Sequence, residues 1–225
     1  MKKKKMLLPL LTFISAVLAI LAADVLHWPH EIAATLKALT TILILIWAWP
    51  RGHGDDLPTV RRYILIGLVA SLVGDIALTL PGGFIPGLLA FLAAHLAYLW
   101  SFTRVKPFAA WPTVFLVYGL LAGAVLSLLW PGIAPALQVP VTAYVICLAS
   151  MAAQAAVIGW FARGTPDAKR GAMLAFGGLM FFCSDGLLAL NKFAGPVPLA
   201  AALVLPTYWT AQWCIATWLR PRLVD

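Results

Sequence analysis

A chain of 225 residues that is 63% hydrophobic and only 11% charged cannot hide its apolar surface in one water-soluble core, because soluble domains are about half apolar and about a quarter charged. The mean hydropathy is +0.95, and the apolar residues come in blocks near the ~20 residues that a bilayer crossing needs. A soluble fold is excluded, and the formal net charge of +8 reads as a topology signal and not as a nucleic-acid-binding surface.

The chain opens with Met1 and four lysines, Lys2–Lys5, followed by an apolar run. That run is longer than the core of a cleaved signal peptide, and Leu21-Ala22-Ala23 is a poor cleavage match, so a signal anchor is expected. Spans are predicted near Leu7–His27, Ile32–Trp49, Arg62–Leu80, Phe84–Thr103, Phe108–Trp130, Val139–Ala162, Gly171–Leu190 and Val197–Leu219. Between them stand the breakers Pro50-Arg51-Gly52, Pro81-Gly82-Gly83, Pro131-Gly132, Gly164-Thr165-Pro166-Asp167 and Gly195-Pro196. The expected architecture is an all-α, polytopic transmembrane bundle of eight helices in a single domain over residues 1–225, with short connections and no soluble domain.

Lys and Arg accumulate on the cytoplasmic side of membrane proteins. With the N-terminus inside, Lys2–Lys5, Arg51, Arg61, Arg62, Arg104, Lys106, Arg163, Lys169, Arg170, Arg220 and Arg222 all fall inside, which is 14 of the 16 basic residues. An odd number of spans would break this alternation, so both termini are expected in the cytoplasm of a multi-pass protein of a bacterial inner membrane. The three cysteines (Cys147, Cys183, Cys214) lie in apolar spans without CxxC spacing and read as small buried hydrophobes.

Ionisable groups inside a span are rare and mark function by default. Here they are Asp24, Lys37, Asp75, His95 and Asp185. Asp75 and Asp185 each lie five residues before the predicted outer end of their span, roughly 7–8 Å deep, and His95 lies about 16 Å along its own. All five are expected in the outer half of the bilayer, around one polar cavity. The bland readings are an interfacial Asp24 and a snorkelling Lys37; two Asp at matched depth with Lys and His nearby are harder to dismiss as packing.

The two acidic segments also resemble each other. Residues 75–98 and 185–208, aligned without gaps at an offset of 110, agree at seven of 24 positions, including Asp75/Asp185, Pro86/Pro196 and Tyr98/Tyr208. Both segments run the same way through the membrane, which is compatible with a parallel four-plus-four repeat. His95 and Tyr98 share a helical face, as do Tyr208 and Gln212. Pro206 deprives the Ala202 carbonyl of its helical partner beside them.

Gly74-Asp75-Ile76-Ala77-Leu78, Phe84-Ile85-Pro86-Gly87-Leu88, Phe91, His95 and Tyr98 together resemble the signature of the YhhN-like lysoplasmalogenase family. So do Phe182-Cys183-Ser184-Asp185 with Leu188-Ala189 and Phe193, and Thr207-Tyr208-Trp209-Thr210-Ala211-Gln212. Lys37 matches a family Lys in the second span; Ala38 stands where a Pro usually follows, and Tyr208-Trp209 where Tyr-Tyr is frequent. The resemblance implies a hydrolase that cleaves the vinyl ether bond of a lysoplasmalogen, a single-chain ether phospholipid. The products would be a fatty aldehyde and glycerophosphoethanolamine or glycerophosphocholine, with no cofactor.

That chemistry suits the residues. Vinyl ethers hydrolyse by protonation at carbon, which creates an oxocarbenium ion that water attacks. A buried carboxylic acid delivers the proton, and a second, ionised carboxylate stabilises the cation and deprotonates the water, as paired carboxylates do in glycosidases. Asp75 and Asp185 are the expected catalytic pair, with the division of roles open. Lys37, His95, Tyr98, Tyr208 and Gln212 are the expected substrate-binding residues. A metal-dependent hydrolase would need ligands such as Asp24, His27, His30 and Glu31, whose regular face Pro29 interrupts, and no metal is expected. The alternative from another class is a small proton-coupled transporter using the same Asp and Lys residues.

Overall fold

The computed structural model describes residues 2–53 and 57–221, apart from the side chains of residues 2–5. Readings that rest on the side chains of Lys2–Lys5 and on Arg222 lie outside the described residues. Eight α-helices carry the described chain: α1 (Lys2–Ile20), α2 (His30–Ala48), α3 (Pro58–Thr79), α4 (Phe84–Thr103), α5 (Pro112–Leu129), α6 (Pro135–Phe161), α7 (Ala168–Phe193) and α8 (Ala200–Trp218). No strand occurs among the described residues. The helices run from 18 to 27 residues, about 27–40 Å at 1.5 Å per residue, against ~30 Å of hydrocarbon.

Helix starts follow local chemistry. Pro58, Pro112 and Pro135 each stand in the first turn of their helix, where the missing N–H has no intrahelical partner to lose. This moves the start of α5 from the expected Phe108 to Pro112, because the stretch from Pro107 to Trp111 is spent in turns. At the other end of the prediction, α1 widens into a π-type turn over Leu21–Val25.

Seven helices, α1 to α7, are long and apolar enough to cross a membrane on their own, and the chain is an integral multi-pass membrane protein. The eighth, α8, carries Thr207, Tyr208, Thr210, Gln212 and Thr217 and packs along α7 and against α2. Tyr208, Trp209, Ala211, Gln212 and Ile215 are buried there, so the phenol of Tyr208 and the amide of Gln212 meet protein rather than lipid. The lipid-facing surface is supplied instead by side chains such as Phe13 of α1 and Leu116, Leu120 and Leu128 of α5.

Packing is closest between α3 and α4 and between α7 and α8, with α4–α6 and α2–α8 joining the two halves. Small residues allow it: a Cβ on Gly178 would come within 2.8 Å of the Ala155 Cβ, and one on Gly159 within 2.8 Å of the Gly171 carbonyl. At the end of the bundle where α2, α4, α6 and α8 finish, arginines stack on tryptophans: Arg51 on Trp47, Arg61 on Trp49, Arg104 on Trp100 and Arg163 on Trp160, at 3.8–5.8 Å. Trp at headgroup depth beside paired cations marks a membrane–water boundary. Asp75 and Asp185 lie toward the opposite end, four residues before the end of α3 and eight before the end of α7.

Candidate active site

Asp75 is 1% exposed and is met from two other helices. From α2, the Lys37 ammonium approaches Oδ1 at 3.1 Å as an ion pair, and Thr41, one turn further on, donates its hydroxyl to Oδ2 at 2.7 Å. From α8, the Tyr208 hydroxyl donates to the same Oδ2 at 2.7 Å. The carboxylate thus gathers α2, α3 and α8 around one charge. Burying a charge is costly unless it is paired and hydrogen-bonded, and here it is both.

Asp185 is 9% exposed and is furnished differently. Tyr144 of α6 donates its hydroxyl to Oδ2 at 2.5 Å, and His95 Nε2 of α4 lies 3.5 Å from the same oxygen. Among the described residues no Lys or Arg pairs with it. Asp185 and Tyr144 form part of the wall of an apolar cleft, with a free volume of about 70 Å³, bounded by residues including Leu88, Phe91, Ala122, Leu148 and Phe182.

The two carboxylates belong to one cluster. Tyr208, hydrogen-bonded to Asp75, packs edge-on against Phe181 and Phe91 at 5.7 and 5.8 Å. Phe181 packs against His95 at 4.6 Å, and His95 against Tyr144 at 5.2 Å. His95 is fully buried, and neither ring nitrogen has a partner within hydrogen-bond geometry; Ser71 Oγ and Gln212 Nε2 are buried in the same condition. Buried polar atoms are normally satisfied, so this cluster presents unused donors and acceptors beside two carboxyl groups. One turn deeper, Tyr98 donates to Gln212 Oε1 at 2.6 Å. Its ring lies where a side chain on Gly67 would have to go, since a Cβ there would fall 2.2 Å from it.

Of the residues singled out in the sequence, Lys37, Asp75, His95, Asp185 and Tyr208 come together. Tyr98 and Gln212 bond to each other, a turn away from the carboxylates. Asp24 stands apart: its Oδ2 accepts the backbone N–H of Ala202 at 2.6 Å, which caps the first turn of α8. His30 Nε2 lies 3.0 Å from the Thr79 carbonyl. Among the described residues no group of three His, Cys, Asp or Glu is placed to hold a metal. The Ala202 carbonyl that Pro206 leaves unpaired in sequence terms sits in an unbroken α8, where Thr207 donates to the neighbouring carbonyls of Leu203 and Val204 and Ser184 to that of Val204.

Two partners escaped the sequence reading, Thr41 and Tyr144. Thr41 carried a usable signal, since it lies four residues from Lys37 on one face of α2. Tyr144 carried none, because only the packing of α6 on α7 brings it to Asp185.

Fold and site together define a helical membrane protein with two buried carboxyl groups, one in a charged network and one beside an apolar cleft. The model of the YhhN family matches residues 32–219, and the chain belongs to the YhhN family. Similar proteins include lysoplasmalogenase TMEM86B of Homo sapiens, 34% identical over 84% of this chain and 74% of that protein. TMEM86B of Sus scrofa is 39% identical over 82% and 74%, and lysoplasmalogenase TMEM86A of Homo sapiens 33% identical over 84% and 78%. No solved structure matches the chain.

Proposed function

We propose that this chain, as a single transmembrane domain, is a lysoplasmalogenase-type ether hydrolase that cleaves the vinyl ether of single-chain ether phospholipids. The products are a fatty aldehyde and glycerophosphoethanolamine or glycerophosphocholine. The observation that carries the reading is the unequal furnishing of Asp75 and Asp185 in one buried cluster. The naming of its relatives as lysoplasmalogenases supports it.

The difference in partners supports a division of roles. Asp185, facing the apolar cleft and held by Tyr144, is the acid: its proton goes to the vinyl carbon distal to oxygen, and the π electrons form that C–H bond. The resulting oxocarbenium ion is stabilised by the Asp75 carboxylate. Water attacks the cationic carbon and gives its proton to Asp75, which leaves a hemiacetal. Collapse of the hemiacetal breaks the bond to the glycerol oxygen; that oxygen takes a proton, the hemiacetal hydroxyl loses one, and the aldehyde departs. One water is consumed, and a proton returned to Asp185 resets the site. The cleft takes the vinyl ether end of the alkenyl chain, the rest of which extends into the bilayer, while His95 and Tyr208, with Gln212 and Tyr98 behind them, position water and the glycerol oxygens. Lys37 holds the Asp75 carboxylate in place. By the basic-residue pattern, both termini face the cytoplasm of a bacterial inner membrane and the site opens toward the outer leaflet.

The test is aldehyde release from 1-alkenyl-glycerophosphoethanolamine by the purified protein in detergent. Wild type should release aldehyde and glycerophosphoethanolamine in equal amounts. An inactive wild type, or full activity in both Asp75→Asn and Asp185→Asn, would sink the reading.

A further inference from the structure

The end of the bundle opposite the carboxylates holds a second cavity, of about 410 Å³, within the ~300–1,000 Å³ range of small-molecule sites. It lies between the start of α3, the turn after α4, the α6–α7 connection and the end of α8. Its walls are two-sided. Val60, Val105, Ile158 and Leu219 make an apolar floor, and among the described residues Lys106, Arg170 and Arg220 bring three cations to the rim beside the carboxylate of Asp167.

That carboxylate is already shared. Arg170 Nη1 and Arg220 Nη2 each reach an Asp167 oxygen at 3.0 Å. Arg170 also donates to the Trp218 carbonyl, and Arg51 to the next one, Leu219, at 3.2 Å. The C-terminal carbonyls of α8, the negative end of its dipole, therefore hold two guanidinium groups close to each other. Burial and the proximity of Arg170 push the Arg51 guanidinium below its usual value. Lys106, whose ammonium lies 5.3 Å from the Phe161 ring, adds a further positive charge on the other wall. Among the described residues the cavity has a positive excess with an apolar floor, and Arg170 stands about 22 Å along α7 from Asp185.

We propose that this cavity is a binding site for a phosphate ester of net negative charge, separate from the carboxylate site and on the other side of the membrane from it. The cations take the phosphate oxygens, as Arg and Lys do through charge-assisted hydrogen bonds, and the floor takes the glycerol and the first methylenes when the ester is a lipid. The bound group would bridge α3, α4, α7 and α8 at an end where their connections are short.

The full chain in nanodiscs tests this. Its unfolding midpoint is measured in phosphatidylcholine alone, with one-fifth phosphatidylglycerol, and in phosphatidylcholine with millimolar glycerol 3-phosphate. A ligand of the folded state should raise the midpoint by roughly 3–5 °C, and the arm in which it does so identifies lipid or soluble ester. The rise should vanish in Lys106→Gln/Arg220→Gln and survive in Arg104→Gln, which removes a cation from the tryptophan belt but not from the cavity. Because Arg220 also bonds Asp167, the single change Lys106→Glu serves as a second variant, with aldehyde release as the check that it is folded. No rise in either arm, or a rise that the cavity variants keep or that Arg104→Gln alone removes, overturns the proposal.

Discussion

Asp75 and Asp185 occupy matching places on α3 and α7, yet their surroundings have little in common. Around Asp75 are an ammonium and two hydroxyls from α2 and α8. Around Asp185 are one hydroxyl, one imidazole and an apolar cleft. The same side chain thus stands in a charged, hydrogen-bonded network on one side and beside an apolar cleft on the other. In the proposed mechanism, environment rather than residue identity divides labour between the two carboxyl groups. It also explains why the roles stayed open in the sequence: nothing in the order of residues says which helix neighbours which carboxylate.

The comparison breaks first at the carboxyl groups. Asp75→Asn and Asp185→Asn should each lower kcat by roughly 10²–10⁴-fold, the usual range for a lost general acid or base, with unfolding midpoints measured alongside to separate chemistry from folding. Next is Lys37→Met, which leaves the Asp75 carboxylate buried without its cation. Breaking a buried pair costs about 3–5 kcal/mol, discounted here because Lys37 is 18% exposed. A clear fall in the unfolding midpoint is expected, larger than that of any change around Asp185; an unchanged midpoint would remove the ion pair from the account.

Tyr144→Phe should act on the other side alone. It deletes the one hydroxyl that holds Asp185 and that stabilises the carboxylate formed as its proton leaves; hydrogen bonds to charged groups contribute about 1.5–3 kcal/mol, so kcat should fall about ten- to a hundredfold while the Lys37–Asp75 pair and KM stay as they are. The smallest effect belongs to Asp24→Ala. Losing the cap on α8 costs about 1 kcal/mol of stability, and aldehyde release per folded molecule should not change; a loss of turnover would bring Asp24 back into the site.

Much of the bundle was legible in sequence because the bilayer leaves so few choices. The number of helices follows from the apolar blocks and the breakers between them, and the helix ends came within about four residues wherever Pro or Gly stood at the break, most closely at Phe84–Thr103. Three starts moved by four residues to a Pro: Pro58 and Pro135 stand before the expected Arg62 and Val139, and Pro112 after the expected Phe108, where turns replace the first helical turn. The polar interior was legible for the residues that stand out against hydrocarbon: Lys37, Asp75, His95 and Asp185. It was not legible for Tyr144, whose side-chain type is common in membrane helices and gains meaning only through inter-helix packing, and for Thr41 it was limited to the four-residue spacing from Lys37. Asp24 shows the converse, an ionisable residue near a span end that serves the first turn of another helix.

The central claim, that Asp185 supplies the proton and Asp75 activates water, is tested most directly with azide. An azide anion attacks an oxocarbenium ion without losing a proton, so it needs no general base but still needs the acid that makes the cation. Aldehyde release is followed in both Asp→Asn variants with and without azide, the azido ether being allowed to hydrolyse before assay. The account predicts that azide restores turnover of Asp75→Asn by at least about tenfold, part of the 10²–10⁴ that a general base contributes, and leaves Asp185→Asn unchanged. Rescue of Asp185→Asn instead, or of neither variant, would contradict it.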